Sequence, residues 1–553
     1  MKKIILLAML ISLIFSSLVY GAAKEWTWMV YMDGDCNLEP DAINDFNEMA
    51  SVGSNDNLNI VVQFDRIPGE SSSYGNWTDT RRFYIKKNDT PQSTPLQNLG
   101  EKNMGDPNTL TDFIKWAVQN YPAKNYALVL WNHGGGWRHP KTRAGKIVKA
   151  ICWDDSNGED CLYMKEVKSA ISSSGVKLSL IGFDACLMGM IEVATDVKDL
   201  ADVMVGSEEV EPGAGWPYDL IMTALAANPS MTAKSLGSII VTKYNDYYKG
   251  NETEVTQSAV DLTKISSVHT AIKNFIASAN QWSKIKTARE ATRTFSESDG
   301  YPHADLYHFM KNISAKGVTD PAVLSGASSV MAALSSAIIE NKYGSARTNS
   351  FGSAIFFPKT KTAYNNADGS AYPASSFNEA TGWDAFLKKY WNPPADNPVG
   401  AVSVDGTGTA KFSKTTPAKP NKKLSSLTFY YTATEDMSGG QVTITVPSDW
   451  SPSPTSSSGA LGEVILTNYS GMSASMSISG KTVKVDLSSL PKKKKFKLAF
   501  KKFTTTPTLG TSVFIVKSKG KNGTLKEIEN SPTVKISNTT KTKKQSKSKS
   551  KKK

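Results

Sequence analysis

The sequence predicts an α/β domain built on a mostly parallel sheet flanked by helices, followed by a small all-β, sandwich-like domain. Three observations predict it. Between Trp26 and Tyr390, short and nearly continuous apolar runs recur, each ending in polar or Gly-rich residues, as strands covered on both faces do. Segments of helical period lie between them. Beyond Asn392–Pro398 (NPPADNP) the pattern becomes alternating runs separated by Gly, Ser, Pro and Thr, the pattern of a sandwich.

The elements follow in chain order. Lys2 and Lys3, twelve mostly apolar residues from Ile4 to Phe15, and small residues around Gly21–Ala23 read as an export signal over residues 1–23, too short in its apolar core to span a bilayer. Strands are predicted at Trp26–Met32, Leu58–Phe64, Tyr126–Trp131, Leu178–Phe183 and Val203–Gly206. Asp106–Asn120 has an Asp cap, Pro one residue later, and apolar residues at 110, 113, 114, 117 and 118, which makes it a crossover helix. Ser258–Leu262, an amphipathic segment around Val268–Trp282, and Ala354–Phe357 extend the same domain, 24–391. Residues 392–398 are a linker and 399–536 the β domain, with strands at Leu427–Tyr431, Gln441–Val446, Lys481–Leu487 and Val513–Val516. The last segment, 537–553, is Lys-rich without apolar residues, and is expected to be disordered.

The net charge of +13 is local. Lys492–Lys502 and the tail hold fifteen lysines and no acid, so the remainder is close to neutral. No basic stripe precedes them, which argues against nucleic acid as a partner. The tail offers contact with an anionic cell surface. Four Cys are too few for a disulfide framework in 553 residues. Cys152 and Cys161 flank a polar run and are expected to close a loop; Cys36 reads as a passive thiol.

Two strand ends could carry chemistry. Trp131-Asn132-His133-Gly134-Gly135-Gly136-Trp137 delivers a His into three glycines, whose N–H groups can approach a substrate oxygen unobstructed. Ile181-Gly182-Phe183-Asp184-Ala185-Cys186 ends a strand at a Cys before a helical pattern from Met190. Cys186 is therefore expected near a helix N-terminus, which favours thiolate. A nearby imidazole completes a nucleophile and base pair. Gly-x-Ser-x-Gly and His-Glu-x-x-His are both absent, which excludes a serine-hydrolase elbow and a zinc-peptidase helix. His139 reads as a surface residue, and His303 and His308 carry no metal motif.

His133-Gly134 and Asp184-Ala185-Cys186, each after an apolar strand, resemble the catalytic pair of clostripain-like cysteine peptidases, relatives of caspases, gingipains and legumain. Trp28–Glu39, Leu128–Arg138, Ile151–Asp155, Ser207–Tyr218 and Asp305–Phe309 are also similar. The resemblance implies a caspase-like fold, protein or peptide substrates, Cys186 as nucleophile, His133 as base and then acid, and an oxyanion hole from the N–H groups of Gly134 and Cys186. It implies cleavage after Arg or Lys, with Asp184, Glu209 and Glu211 as substrate-binding acids; Ala214 lies between glycines in the stretch where a second acid is expected. It implies self-cleavage between His133 and Cys186, at Arg143, Lys146 or Lys149. No cofactor is required for the chemistry, although calcium is implied for some relatives. The acidic run Asp33, Asp35, Asn37, Glu39, Asp41 and Asp45 lacks EF-hand spacing and reads as a solvated loop and helix start. The location expected is secreted, or the cell envelope or periplasm. The competing class is an inactive, adhesin-like surface binding protein that uses the β domain and Lys tail.

Overall fold

The computed structural model describes residues 23–137, 150–367, 369–396, 404–413, 417–469, 472–521 and 523–538. They fall into two compact units divided at Asn397/Pro398.

In the first unit the chain runs through β1 (Lys24–Gly34), α1 (Glu39–Val52), β2 (Leu58–Arg66), β3 (Arg81–Tyr84) and β4 (Gln97–Asn98). It continues through α2 (Pro107–Asn120), β5 (Ala123–Trp131), the hairpin β6 (Ile151–Asp154) and β7 (Asp160–Leu162), then α3 (Met164–Ser174) and β8 (Leu178–Asp184). Next come α4 (Ile191–Val197), β9 (Ala201–Gly206), α5 (Tyr218–Ala227), α6 (Ala233–Tyr248) and β10 (Thr256–Asp261). After α7 (Ile265–Ser278), α8 (Trp282–Glu290), β11 (Thr294–Phe295) and β12 (His303–Asp305) follow α9 (Leu306–Ala315), α10 (Pro321–Ala337), β13 (Ile338–Tyr343) and β14 (Ala354–Phe356).

One nine-stranded sheet has the order β13-β10-β9-β8-β5-β1-β2-β3-β4. Its central five strands, from β9 to β2, are parallel; the outer strands are antiparallel. The reversal has a simple cause. Two helices, α5 and α6, separate β9 from β10, and an even number of helical passes returns the chain to the opposite end of the sheet. Each face carries its own core. Phe113, Ile114, Val167, Ile171, Val193 and Phe275 pack on one side, and Phe46, Tyr218, Met222, Leu236 and Tyr244 on the other, which is why the central strands are apolar at successive positions. Asp106 caps α2 by accepting from Asn108 N, with Pro107 at the first turn, as its sequence predicts. The amphipathic segment around Val268–Trp282 is two helices, because the chain turns at Gln281 with φ +58°. Ala354–Phe356 joins β12 and β11 in a separate three-stranded sheet.

Cys152 and Cys161 are free and buried rather than bridged. Cys152 is a bulge residue, with φ +52°, and its side chain enters the main core. Cys161 lies opposite Trp153 and packs with Ala150 and Trp153, so the two thiols serve different clusters.

The second unit contains a four-stranded and a five-stranded antiparallel sheet. Phe429, Phe496, Leu498, Phe500, Val442, Ile444 and Val485 fill its core. Among the described residues no helix is long and apolar enough to cross a membrane. Residues 1–22 of the export signal expected over 1–23, and the tail beyond Asn538, lie outside the described residues.

Several carboxyls in the first unit are buried. Desolvation pushes Glu192, Asp305 and Glu48 up to about 7, so the folded chain holds protons that the unfolded chain, titrating near 4, releases. Stability is therefore greatest in mild acid and falls as pH rises from about 4 to about 7. Thermal unfolding is expected at a higher midpoint near pH 5.5 (about) than near pH 8 (about); the reverse order would show that these groups do not govern the balance.

Candidate functional site

The two strand ends meet because β5 and β8 are adjacent and parallel, with Trp131 opposite Asp184. Two residues beyond each strand end stand His133 and Cys186. Both line one cavity of about 180 Å³ together with Leu38, Trp131, Asp184, Ala185, Glu211, Pro212, Gly213 and Gly215. His133 Nε2 lies 2.8 Å from Asn37 Oδ1. Asn132 fixes the strand end: its Nδ2 donates to the carbonyls of Asp33, at 2.7 Å, and Trp153, at 3.0 Å.

Gly134 packs directly on the Cys186 backbone. A Cβ at this position would sit 2.2 Å from Cys186 O and 2.9 Å from Cys186 N, so only glycine allows this close approach of the two backbones. Cys186 does not open a helix. Leu187 turns with φ +64°, and α4 begins only at Ile191. The dipole of α4 therefore does not act on the thiol, and burial pushes the Cys186 pKa up. Glu211 N donates to Cys186 Sγ at 3.3 Å, which partly offsets that effect.

Asp184 and Glu211 form the acidic part of the cavity. Tyr218 OH donates to Asp184 Oδ2 at 2.7 Å and Trp216 N at 3.3 Å. Burial nonetheless pushes Asp184 up to about 6. Glu211 is pushed well above the usual range by burial and by the charges of Asp184 and Cys186. Each carboxyl acts on the other, and Glu211 Oε1 accepts from Gln257 Nε2 at 2.9 Å. Glu209 is elsewhere: its carboxylate pairs with Arg347 Nε at 2.8 Å and accepts from Ser296 Oγ at 2.7 Å, and it does not line the cavity. Ala214 is not in the lining either. Arg143, Lys146 and Lys149 fall outside the described residues.

A second acidic group lies behind the strand ends. Asp35, Glu101 and Asp154 bring carboxylate oxygens within 4.8 Å of one another; the charges of Asp154, Asp65 and Asp35 act on Asp33, and those of Glu101, Asp154 and Asp35 on Asp65. Oδ2 of Asp33, of Asp35 and of Asp65 are buried without hydrogen-bond partners. An all-oxygen set with orphaned carboxylate atoms fits a hard divalent cation. Of the acidic run in the sequence, only Asp33 and Asp35 join it; Glu39 pairs with Arg66 and Asp45 accepts from Trp131.

The clostripain family profile matches residues 30–391. The chain belongs to the clostripain family. Clostripain of Hathewaya histolytica is 33% identical over 348 residues, a match covering 52% of this chain and 65% of that relative. Two solved C11 structures share the fold of this clostripain-family chain. One is a secreted C11 cysteine protease from Bacteroides thetaiotaomicron, determined with an irreversible peptide inhibitor, with TM-score 0.51, 19% identity, and 65% and 100% of the two chains covered. The other is an inactive zymogen C11 protease from Parabacteroides distasonis, with TM-score 0.51, 18% identity, and 66% and 99% covered.

Proposed function

We propose that this chain is an exported cysteine endopeptidase that cleaves protein or peptide chains after Arg or Lys through a Cys186–His133 dyad. The observation that carries the reading is the convergence of His133, Cys186 and the Asp184–Glu211 pair on one cavity. The Asn37 amide oxygen can only accept, so it favours the proton on His133 Nε2 and leaves Nδ1 as the base. His133 takes the Cys186 proton as sulfur attacks the scissile carbonyl, since a thiol raised by burial is not ionised beforehand. The carbonyl oxygen becomes an oxyanion held by the N–H groups of Gly134 and Cys186. His133 then protonates the leaving amine, and a water activated by the same imidazole hydrolyses the acyl-enzyme.

A basic P1 side chain pairs with Asp184 and Glu211, supplying a cation that these buried carboxyls lack. A P1-variable peptide library tests this reading, with Arg and Lys expected well above Ala and Leu; equal rates would remove the basic preference. Gly134→Ala is expected to lower kcat by about 10²- to 10³-fold, the usual cost of one oxyanion donor, because its Cβ must displace the Cys186 carbonyl. An Ala variant with unchanged kcat would take Gly134 out of that role.

Self-cleavage at Arg143, Lys146 or Lys149 follows from the same specificity, since each is a basic residue between the two catalytic ones. Wild-type chain should resolve into two bands on a denaturing gel and Cys186→Ala should stay as one; identical gels would exclude self-processing. Export rests on the apolar segment that follows Lys2 and Lys3, and the lysines beyond Asn538 suit contact with an anionic envelope. No cofactor takes part in the chemistry. Calcium would be held by Asp33, Asp35, Asp65, Glu101 and Asp154, where it would neutralise charge.

A further inference from the structure

A second cavity, of about 370 Å³, shares no lining residue with the one that holds His133 and Cys186. It lies between α3, α4 and the chain around Phe377, with Trp137 in its wall. Two of its residues hold polar orphans. Glu192, 1% exposed, accepts through Oε1 from Phe356 N at 3.0 Å and Tyr372 OH at 2.7 Å, while its Oε2 is buried without a hydrogen-bond partner. Trp137, 4% exposed, packs edge-on against the same two residues, with ring centroids 4.9 Å from Phe356 and 4.7 Å from Tyr372. Its Nε1 is also buried without a partner. An unmet acceptor and an unmet donor in one cavity each cost free energy that an occupant recovers. The rest of the lining carries both signs of charge. Lys165 and Lys168 stand one turn apart on α3, and Asp196 stands one turn beyond Glu192 on α4, where its charge acts on Glu192. Met164 and Phe377 supply apolar wall. A few convergent polar groups on an apolar wall, at this volume, suit a small molecule.

We infer that this cavity binds a free α-amino acid with an apolar side chain, its ammonium on Glu192 and Asp196 and its carboxylate on Lys165, Lys168 and the Trp137 N–H. The two orphans set the requirement: Glu192 Oε2 needs a donor and Trp137 Nε1 needs an acceptor. A zwitterion brings both, each charged and therefore forming the stronger kind of hydrogen bond. A lone amine would leave the lysines and the indole unanswered, and a lone carboxylate would face Glu192 and Asp196. The apolar side chain lies against Met164 and Phe377. Trp137 closes the glycine run that begins after His133, so an occupant that engages its indole also fastens the loop 134–137. Binding is independent of the peptidase reading; only the importance of that loop for catalysis draws on it.

The test titrates the full-length Cys186→Ala chain with L-leucine by calorimetry, without turnover or self-cleavage. One saturable site per chain is expected, and amide exchange across 134–137 should slow when it fills. L-Leucinamide and 4-methylpentanoate, which each lack one charged end, should bind about 10- to 100-fold more weakly, the range for losing a hydrogen bond to a charged group. In the same background, L-leucine should bind more weakly by a similar factor to Glu192→Gln, and to a chain with both Lys165→Ala and Lys168→Ala, whose exposed side chains spare the core. No saturable binding would overturn the inference and leave the cavity to water. Equal affinity in parent and variants would place the amino acid elsewhere, and equal affinity for the three ligands would remove the two-ended recognition. Binding with unchanged exchange across 134–137 would overturn the coupling to the loop. No arm needs activity, so each outcome leaves the peptidase reading to the P1 library.

Discussion

Cys186→Ala and His133→Ala are each expected to lower peptide hydrolysis by at least about 10⁴-fold, because groups that act as one unit lose nearly all of their effect when either is removed. The argument is geometric. Only β5 and β8, as neighbouring parallel strands with Trp131 facing Asp184, bring an imidazole and a thiol to the same cavity wall. The Cys186 thiol is raised by burial, and no helix terminus lowers it, so no thiolate is available once His133 is lost. Both side chains are only partly buried, so neither substitution should move the unfolding midpoint by more than a degree or two (about). Steady-state kinetics with an Arg-P1 peptide and a thermal melt of each variant check the pair. Retention of more than about one part in a hundred of the activity by either variant would assign the chemistry to other residues.

Asp184→Asn is expected to reduce kcat/KM for Arg- and Lys-P1 peptides by about 10²- to 10³-fold, from the roughly 3–5 kcal/mol lost when one partner of a buried ion pair is removed. Asn preserves the shape and can still accept from Tyr218 OH and Trp216 N, so the loss isolates the charge. The pH dependence has a definite sign. Asp184 is raised to about 6; below that pH it is protonated and cannot pair with a P1 cation. For Arg-P1 peptides kcat/KM should therefore fall below about pH 6 more steeply than for Leu-P1 peptides, and in Asp184→Asn the two profiles should coincide. An equal loss on basic and neutral peptides would mean that Asp184 serves the fold instead.

The central strands were legible because both faces are covered: Trp28–Met32, Leu58–Phe64 and Leu178–Phe183 have no polar side to hide their length. The outer strands were less so. Arg81–Tyr84 is two charged residues followed by two aromatics, with no alternation or apolar run, and Gln97–Asn98 is two polar residues. The pairing of His133 with Cys186 was legible because each follows an apolar strand directly. Three details were not. Residues 207–213 do not form a strand, so Glu209 and Glu211, two apart, reach different partners. The turn at Leu187 delays α4 by several residues. Asp65, Glu101 and Asp154 lie far apart in sequence, and only the sheet register and the hairpin bring them beside Asp33. Asn37 was visible only as one oxygen in an acidic run; its place just beyond β1, next to β5, was the available signal.

The register between β5 and β8 has one more effect. His133 and Cys186 follow the ends of strands that are neighbours in space but are joined by the whole of 134–185. A nick in that connection would cut the polypeptide without cutting the sheet, since Ala127–Trp131 would remain hydrogen-bonded to Leu180–Asp184. The fragments should co-elute on size exclusion, melt in a single transition, and part only in denaturant.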